Sequence, residues 1–375
     1  MNKFFRWAMV MALLPSTIAF TQTVEVVPNL RLTPQQQRAK VDRCHTVPYM
    51  ESLHQQAGIS SLQAEAQFEN WMGKLITERR SSPRGQDVIN YNLPVVFHII
   101  HSGQTVGVGN NISQARIQSQ LAQINKDFAN LSNSPYAVAA STGIQFSLAQ
   151  RDPSGNLLAE AGIDRVNAPG TIPGATAGPY SMSNFNSVIK PATIWDPTRY
   201  LNIWVAELGD EILGYATFPT SSTLPGLSGG ETASNAGVVV LTSTVGSLNN
   251  INGTCPSNPY NAGKTLTHEL GHFFGLRHIW GDATCGNDFV SDTPIHEEDN
   301  DGRPAHPKPN SCGTPDEMFE NYMDYCYDDV LNTFTAFQVE RIQTVMANSP
   351  RRKELATSNV GLVPFTSNRV AFLPC

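Results

Sequence analysis

His268-Glu269-Leu270-Gly271-His272-Phe273-Phe274-Gly275-Leu276-Arg277-His278 brings three imidazoles, one carboxylate and a turning glycine together at fixed offsets. On a helix, positions four apart share a face, so His268 and His272 aim their rings at one point while Glu269 stands beside that point. Gly275 suits the left-handed backbone that ends a helix and turns the chain, which lets His278 swing back as a third donor. Three protein donors with a fourth position open make a catalytic zinc site and not a closed structural one. Such an ion polarises a carbonyl and lowers the pKa of a water, and Glu269 is placed to act as general base. The short five-residue form of this pattern recurs by accident in many chains, the eleven-residue form far less often.

Downstream, Asn321-Tyr322-Met323-Asp324-Tyr325 supplies a second mark. A long histidine motif followed by a methionine turn resembles the metzincin metallopeptidases. Among metzincins, the words Asn258-Pro259-Tyr260-Asn261-Ala262-Gly263-Lys264, Arg277-His278-Ile279-Trp280-Gly281-Asp282 and Val290-Ser291-Asp292-Thr293-Pro294 are similar to those of the pappalysin family, in particular its smaller bacterial, ulilysin-like members. The resemblance runs from about Asn92 to Ser349 and more loosely upstream through Arg43-Cys44.

That resemblance implies a metzincin-like α+β fold. Its N-terminal subdomain would hold a twisted mixed sheet with a backing helix and the zinc helix, and its irregular C-terminal subdomain the methionine turn and a final helix. It implies an endopeptidase with Met323 as the hydrophobic floor under the metal and Tyr325 as the hydroxyl that helps hold the intermediate. Asp328 corresponds to the acidic floor of the pocket for the side chain after the scissile bond, with Asp329 an adjacent candidate; a carboxylate there selects Arg or Lys. Gly214-Tyr215-Ala216-Thr217-Phe218-Pro219 would border the cleft as an edge strand, with Tyr215 and Ala216 pairing with an extended substrate that runs antiparallel to it.

The resemblance also pairs Cys285 with Cys312, one after the zinc helix and one before the methionine turn. Cys255 with Cys326 is the next pair, although the commoner family pattern places that second cysteine a few residues later. In the loop after His278 the family often binds calcium, here with Asp288, Asp292 and Thr293 as expected ligands among Asp282 and Asn287; a solvated acidic turn is the other reading. Asp299-Asn300-Asp301-Gly302 lacks the rest of a helix-loop-helix calcium signature.

Lys3 and Arg6 precede an apolar run from Trp7 to Leu14, and Thr17-Ile18-Ala19 offers a small-residue cleavage site, the pattern of a secretory signal peptide. That run is too short to span a bilayer and no later stretch reaches ~20 apolar residues. The expectation is an exported protein, secreted or periplasmic, in which six cysteines suit disulfides. A net charge of -7 without a Lys/Arg block argues against nucleic acid as a partner.

Four segments follow: a signal peptide over 1–19, a propeptide over 20–84, a catalytic domain over 85–350 and a tail over 351–375. The propeptide has a helical pattern around Leu62, Phe68, Trp71, Met72 and Leu75 and ends in Glu78-Arg79-Arg80-Ser81-Ser82-Pro83-Arg84-Gly85, whose arginines suit self-activation. Arg43-Cys44 resembles the family's cysteine switch, a thiolate on the zinc that expels water; a Cys44–Cys375 disulfide is the alternative.

Within the catalytic segment, strands are expected at 93–101, 144–150, 200–206, 215–219 and 237–241. Helices are expected at 113–130, from Gly263 to Gly275, and at 336–348. His98 and His101 lie three apart on a strand, face opposite sides and read as structural. The expected partners are protein or peptide substrates and the chain's own propeptide as inhibitor. A non-catalytic exported binding or adhesion module on the same fold is the rival, against which Glu269 argues, since a structural zinc needs no base. A hydrolase of small peptides is a second rival.

Overall fold

In the computed structural model, residues 43–83, 87–209, 211–223, 229–247 and 259–358 are described. The expected signal peptide, Arg84, Cys255 and Cys375 lie outside them. Strand β1 (Tyr91–His101) forms the spine of a six-stranded sheet. It pairs in parallel with β2 (Ile144–Leu148) along its first half and with β3 (Ile163–Asn167) along its second, while β4 (Leu201–Ala206) lies on its other side. Beyond β4 comes β6 (Val238–Leu241), also parallel, and then β5 (Gly214–Ala216), the antiparallel edge.

Alternation along β1 explains why both faces are covered. Leu93, Val95, Phe97 and Ile99 join Ile117, Ile124 and Phe128 of α3 (Gln114–Phe128) and Leu266, Leu270 and Phe273 of the zinc helix α4 (Lys264–Phe273) in the main core. On the other face Ile100, Trp204 and Val239 meet Phe185 and Ile189 together with Tyr49, Met50 and Leu53 of α1 (Thr46–Gln56). The upstream segment thus enters the second core. Its longer helix α2 (Ser61–Ser81) sets Phe68 and Met72 against Val345 of the last long helix, α5 (Ala336–Asn348).

Helix α4 starts after Gly263 (φ +78) and ends where Gly275 takes φ +89, the left-handed turn its sequence anticipates. All ten of its residues are buried. What positions it is the carboxylate of Asp127, 1% exposed at the end of α3. Asp127 pairs with Lys264 and accepts from Thr267 Oγ1 at 2.6 Å, both on α4, and from Tyr322 OH at 2.9 Å on the methionine turn. Gln123 at 2.9 Å and Ser132 at 2.7 Å complete its shell. A buried charge so fully bonded fixes three elements in one register.

His98 is fully buried, bonded to Asp164 at 2.8 Å and Asn202 at 2.9 Å and stacked on Trp204, a core residue as expected. The chain past 350, expected to begin a tail, still closes on the core: Arg352 is buried, bonds the Phe273 carbonyl at 2.9 Å and pairs with Glu231 at 2.6 Å.

Two substitutions test this architecture. Asp127→Ala strands Lys264 as a buried unpaired charge and should cost about 3–5 kcal/mol, read by denaturant unfolding; a loss below about 1 kcal/mol would refute the network's importance. At Gly271 an added Cβ would lie 2.3 Å from Met323 Sδ. Gly271→Ala should therefore lower the melting temperature by an amount that corresponds to about 1–3 kcal/mol of overpacking.

Candidate metal centre

Three imidazoles meet at the C-terminal half of α4. Each is locked by its Nδ1: His268 to the Tyr322 carbonyl at 2.7 Å, His272 to the Leu276 carbonyl at 2.8 Å, His278 to Asp282 Oδ1 at 2.5 Å. Those acceptors fix the proton on Nδ1 and turn each Nε2 lone pair inward. His272 Nε2 lies 3.2 Å from that of His268 and 3.0 Å from that of His278. Lone pairs that close repel unless they share a cation. A tetrahedral zinc with bonds of about 2.0–2.1 Å needs donors roughly 3.3 Å apart, near the spacing observed.

Cys44 Sγ joins them in a group that could hold a metal ion: the four candidate ligand atoms of Cys44, His268, His272 and His278 all lie within 4.8 Å of one another. Among the described residues this is the one group of three or more His, Cys, Asp or Glu so disposed. Burial, then the neighbouring imidazoles, push His268 well below its ordinary pKa, and His272 is pushed down to about 3 by burial first. Neutral rings are what a metal requires. Burial, then the Glu269 carboxylate, raise the Cys44 thiol well above its usual value, so its thiolate is a species that only a cation beside it would stabilise. The donor set therefore fits zinc. Trp280 stacks on His278 with centroids 4.3 Å apart and Met323, fully buried, packs beneath.

The segment carrying Cys44 runs along the cleft edge. His45 N donates to Gly214 O at 2.9 Å, Ala216 N donates to Thr46 Oγ1 at 2.9 Å, and Phe218 N lies 3.3 Å from Met50 Sδ. Contacts that advance together along both chains mean that the segment lies parallel to β5. Tyr215 joins this edge by backbone alone, since its ring turns to the opposite core and meets Tyr49 edge-on at 4.9 Å.

On one side of the cage, Arg43 reaches Asp328 Oδ1 at 3.2 Å, the Cys326 carbonyl and the face of Tyr260. Both charges are 1% exposed. Asp328 Oδ2 also accepts from Ala262 N at 2.9 Å and Lys264 N at 3.0 Å. Burial raises the Asp328 carboxyl above its ordinary value against the pull of Arg43. Tyr325 OH lies 3.2 Å from His278 Nε2 and donates to the Cys44 carbonyl at 3.2 Å. Thr46, which the sequence reading passed over, donates its hydroxyl to Glu269 Oε2 at 2.9 Å. Its offset of two from Cys44 was the only available signal.

In the loop after His278, Asp292 accepts from Thr335 Oγ1 at 2.6 Å and Phe337 N at 2.9 Å at the start of α5, while Asp288 accepts from Thr293 Oγ1 at 2.8 Å and Val290 N at 3.0 Å. Asp282 serves His278. Cys326 and Cys44 are free buried thiols, and Cys255 and Cys375, their expected and alternative partners respectively, lie outside the described residues. The expected Cys285–Cys312 disulfide is formed.

Known proteins are similar to this chain in sequence and in fold. The model of peptidase family M43, described as pregnancy-associated plasma protein-A, matches residues 184–347. An extracellular metalloprotease of Verticillium alfalfae is 31% identical over 256 residues, 68% of this chain and 75% of its own. One from Arthroderma benhamiae is 28% identical over 271 residues, 71% and 75% respectively. Among solved structures, a Tannerella forsythia promirolysin variant is 34% identical with a TM-score of 0.66, covering 83% of this chain and 96% of that one. Mature mirolysin from the same organism, in complex with a cleaved peptide, is 36% identical with a TM-score of 0.60 and covers 72% and 96%. With a His3Cys cage at its centre and relatives of this identity over most of their length, the chain belongs to the pappalysin family of zinc metalloproteases.

Proposed function

We propose that the chain is a latent endopeptidase, exported by the signal peptide at 1–19, with a propeptide over 20–84 whose described part, from Arg43 on, closes the cleft and which must leave before proteins are cut ahead of Arg or Lys. The observation that carries this reading is the seat of Arg43 on Asp328 beside Cys44. The upstream segment carries the side chain proposed for the substrate, yet runs parallel to β5 where a substrate would run antiparallel. It fills the pocket and the cage while presenting its backbone in the wrong direction for hydrolysis. Relatives named extracellular metalloproteases, and a precursor structure that covers more of this chain than the mature one, support export and latency.

His268, His272 and His278 would hold the zinc, with Cys44 as the fourth ligand until the segment leaves. Bound there, zinc supplies Lewis acidity that polarises a scissile carbonyl and acidifies a water. Glu269 Oε2, now taken by Thr46, becomes available to receive a proton and to hand it to the departing amine. Tyr325 OH stands close enough to His278 Nε2 to donate to a developing oxyanion. Tyr215 and Ala216 offer the substrate their backbone, and Asp328 offers a buried carboxylate already bonded by two N–H groups.

Glu269→Ala should lower cleavage of an unfolded protein by about 10²–10⁴-fold while metal content stays constant; near-normal turnover would remove Glu269 as base. With cobalt in the full-length chain, a thiolate-to-metal absorption band should be present and should vanish in Cys44→Ala. An unchanged spectrum would exclude Cys44 from the cage. Asp328→Asn keeps an oxygen for the Ala262 and Lys264 amides but loses the charge. Cuts mapped by mass spectrometry should lose their Arg/Lys preference about tenfold or more, and wild-type cuts without that preference would refute the pocket.

A further inference from the structure

A second ionic cluster lies on the side of the cage away from Asp328. Glu69 of α2 accepts from Arg277 Nε at 2.9 Å and from Arg341 at 3.0 and 2.8 Å, bridging both guanidiniums. Glu65 stands 3.3 Å from Arg277 Nη1. The side chains of Arg277 and Arg341 are 15% and 2% exposed. Among the described residues, every carboxylate within ion-pair distance of either arginine belongs to α2.

The catalytic domain holds both arginines in place without α2. Arg341 donates to the Gly275 carbonyl at 3.1 Å, and Arg277 lies over the rings of Phe218 and Phe289. Two catalytic-domain carboxylates feel these charges, Asp282 and Asp288, but each is committed, to His278 and to Thr293 with Val290. Arg277 shares the wall of a cavity of about 440 Å³ with His272, Asp282 and Phe218. From Arg43 on Asp328, the upstream segment passes the cage and reaches Phe218 with Met50, so Arg277 stands beyond the metal from the pocket that would take Arg or Lys.

We propose that Arg277 and Arg341, once α2 has left, form a carboxylate-binding subsite for the part of a peptide upstream of the scissile bond. This rests on the reading of residues 20–84 as a removable segment. Glu69 then holds the place of an Asp or Glu side chain of the substrate or of the terminal carboxylate of an upstream product. Two guanidiniums on one carboxylate in a partly desolvated wall give a charge-assisted contact that Gln or Asn cannot replace.

The test uses enzyme processed from the full chain. Amidated peptides with one Arg-directed cut carry Glu or Gln at successive upstream positions; a neutral peptide with a free C-terminus is assayed as inhibitor against its amide. Glu should exceed Gln in kcat/KM at one position by about tenfold, mainly through KM. Alternatively, the free-acid peptide should inhibit about tenfold better than its amide, which assigns the contact to the product terminus. Either preference should fall to about unity in Arg277→Gln and return in part in Arg277→Lys. Ratios near unity in both arms of the wild type overturn the proposal. Labelled Glu and Gln peptides are also bound to the Glu269→Ala protein processed in trans. Absence of turnover would thus fail the proteolytic reading while the Glu-over-Gln preference in binding still decides the subsite.

Discussion

The cleft depends on one buried carboxylate that never touches it. Asp127 ends α3 inside the main core and binds Lys264 and Thr267 of the zinc helix together with the Tyr322 hydroxyl. The carbonyl of Tyr322 in turn holds His268 Nδ1, so the helix that carries two metal donors and the turn that orients one of them share a single anchor. The next residue, Met323, presses its sulfur where Gly271 leaves out a Cβ. Position of the helix, orientation of a ring and closeness of the floor are therefore one coupled constraint, paid for in desolvation and recovered by five hydrogen-bonding partners.

Much of this was readable in the chain. The zinc helix, its stop at Gly275 and the return of His278 follow from helical periodicity and from a glycine that can take φ +89. Strands β1, β4 and β6 announced themselves as apolar runs, and α5 spans the expected 336–348, with Thr335 and Gln338 forming a capping box at its start. Local rules suffice where neighbours in sequence make the structure. The family resemblance added the Cys285–Cys312 bridge, which no periodicity carries.

What stayed hidden was made by residues far apart. Ile163–Asn167 became a strand despite a pattern of Asp, Arg and Asn that reads as loop, since β1 offered the upper half of its ladder as a template. Helix α1 was missed because it is amphipathic only against a core that the catalytic domain supplies. The bond of Asp292 to a helix start 43 residues later in the chain, and the bridge that Glu69 makes between two arginines, are likewise contacts no local pattern carries. Acidic residues name a need for positive partners, and sequence alone does not say whether amide, guanidinium or metal meets it.

The upstream segment is held by more than its ends. Phe68 and Met72 are buried on Val345, Tyr49 packs on Tyr215, and Arg43 and Glu69 pair with opposite sides of the cleft. A nick among Arg79, Arg80 and Arg84 breaks none of these contacts. What it changes is the effective concentration of the segment, from an intramolecular value in the millimolar range by order of magnitude to whatever the surroundings provide. Inhibition would then become an equilibrium that dilution reverses. For a protease nicked in a crowded export compartment and released into a large volume, the timing of activity would be set by departure of the cut segment as much as by the cut.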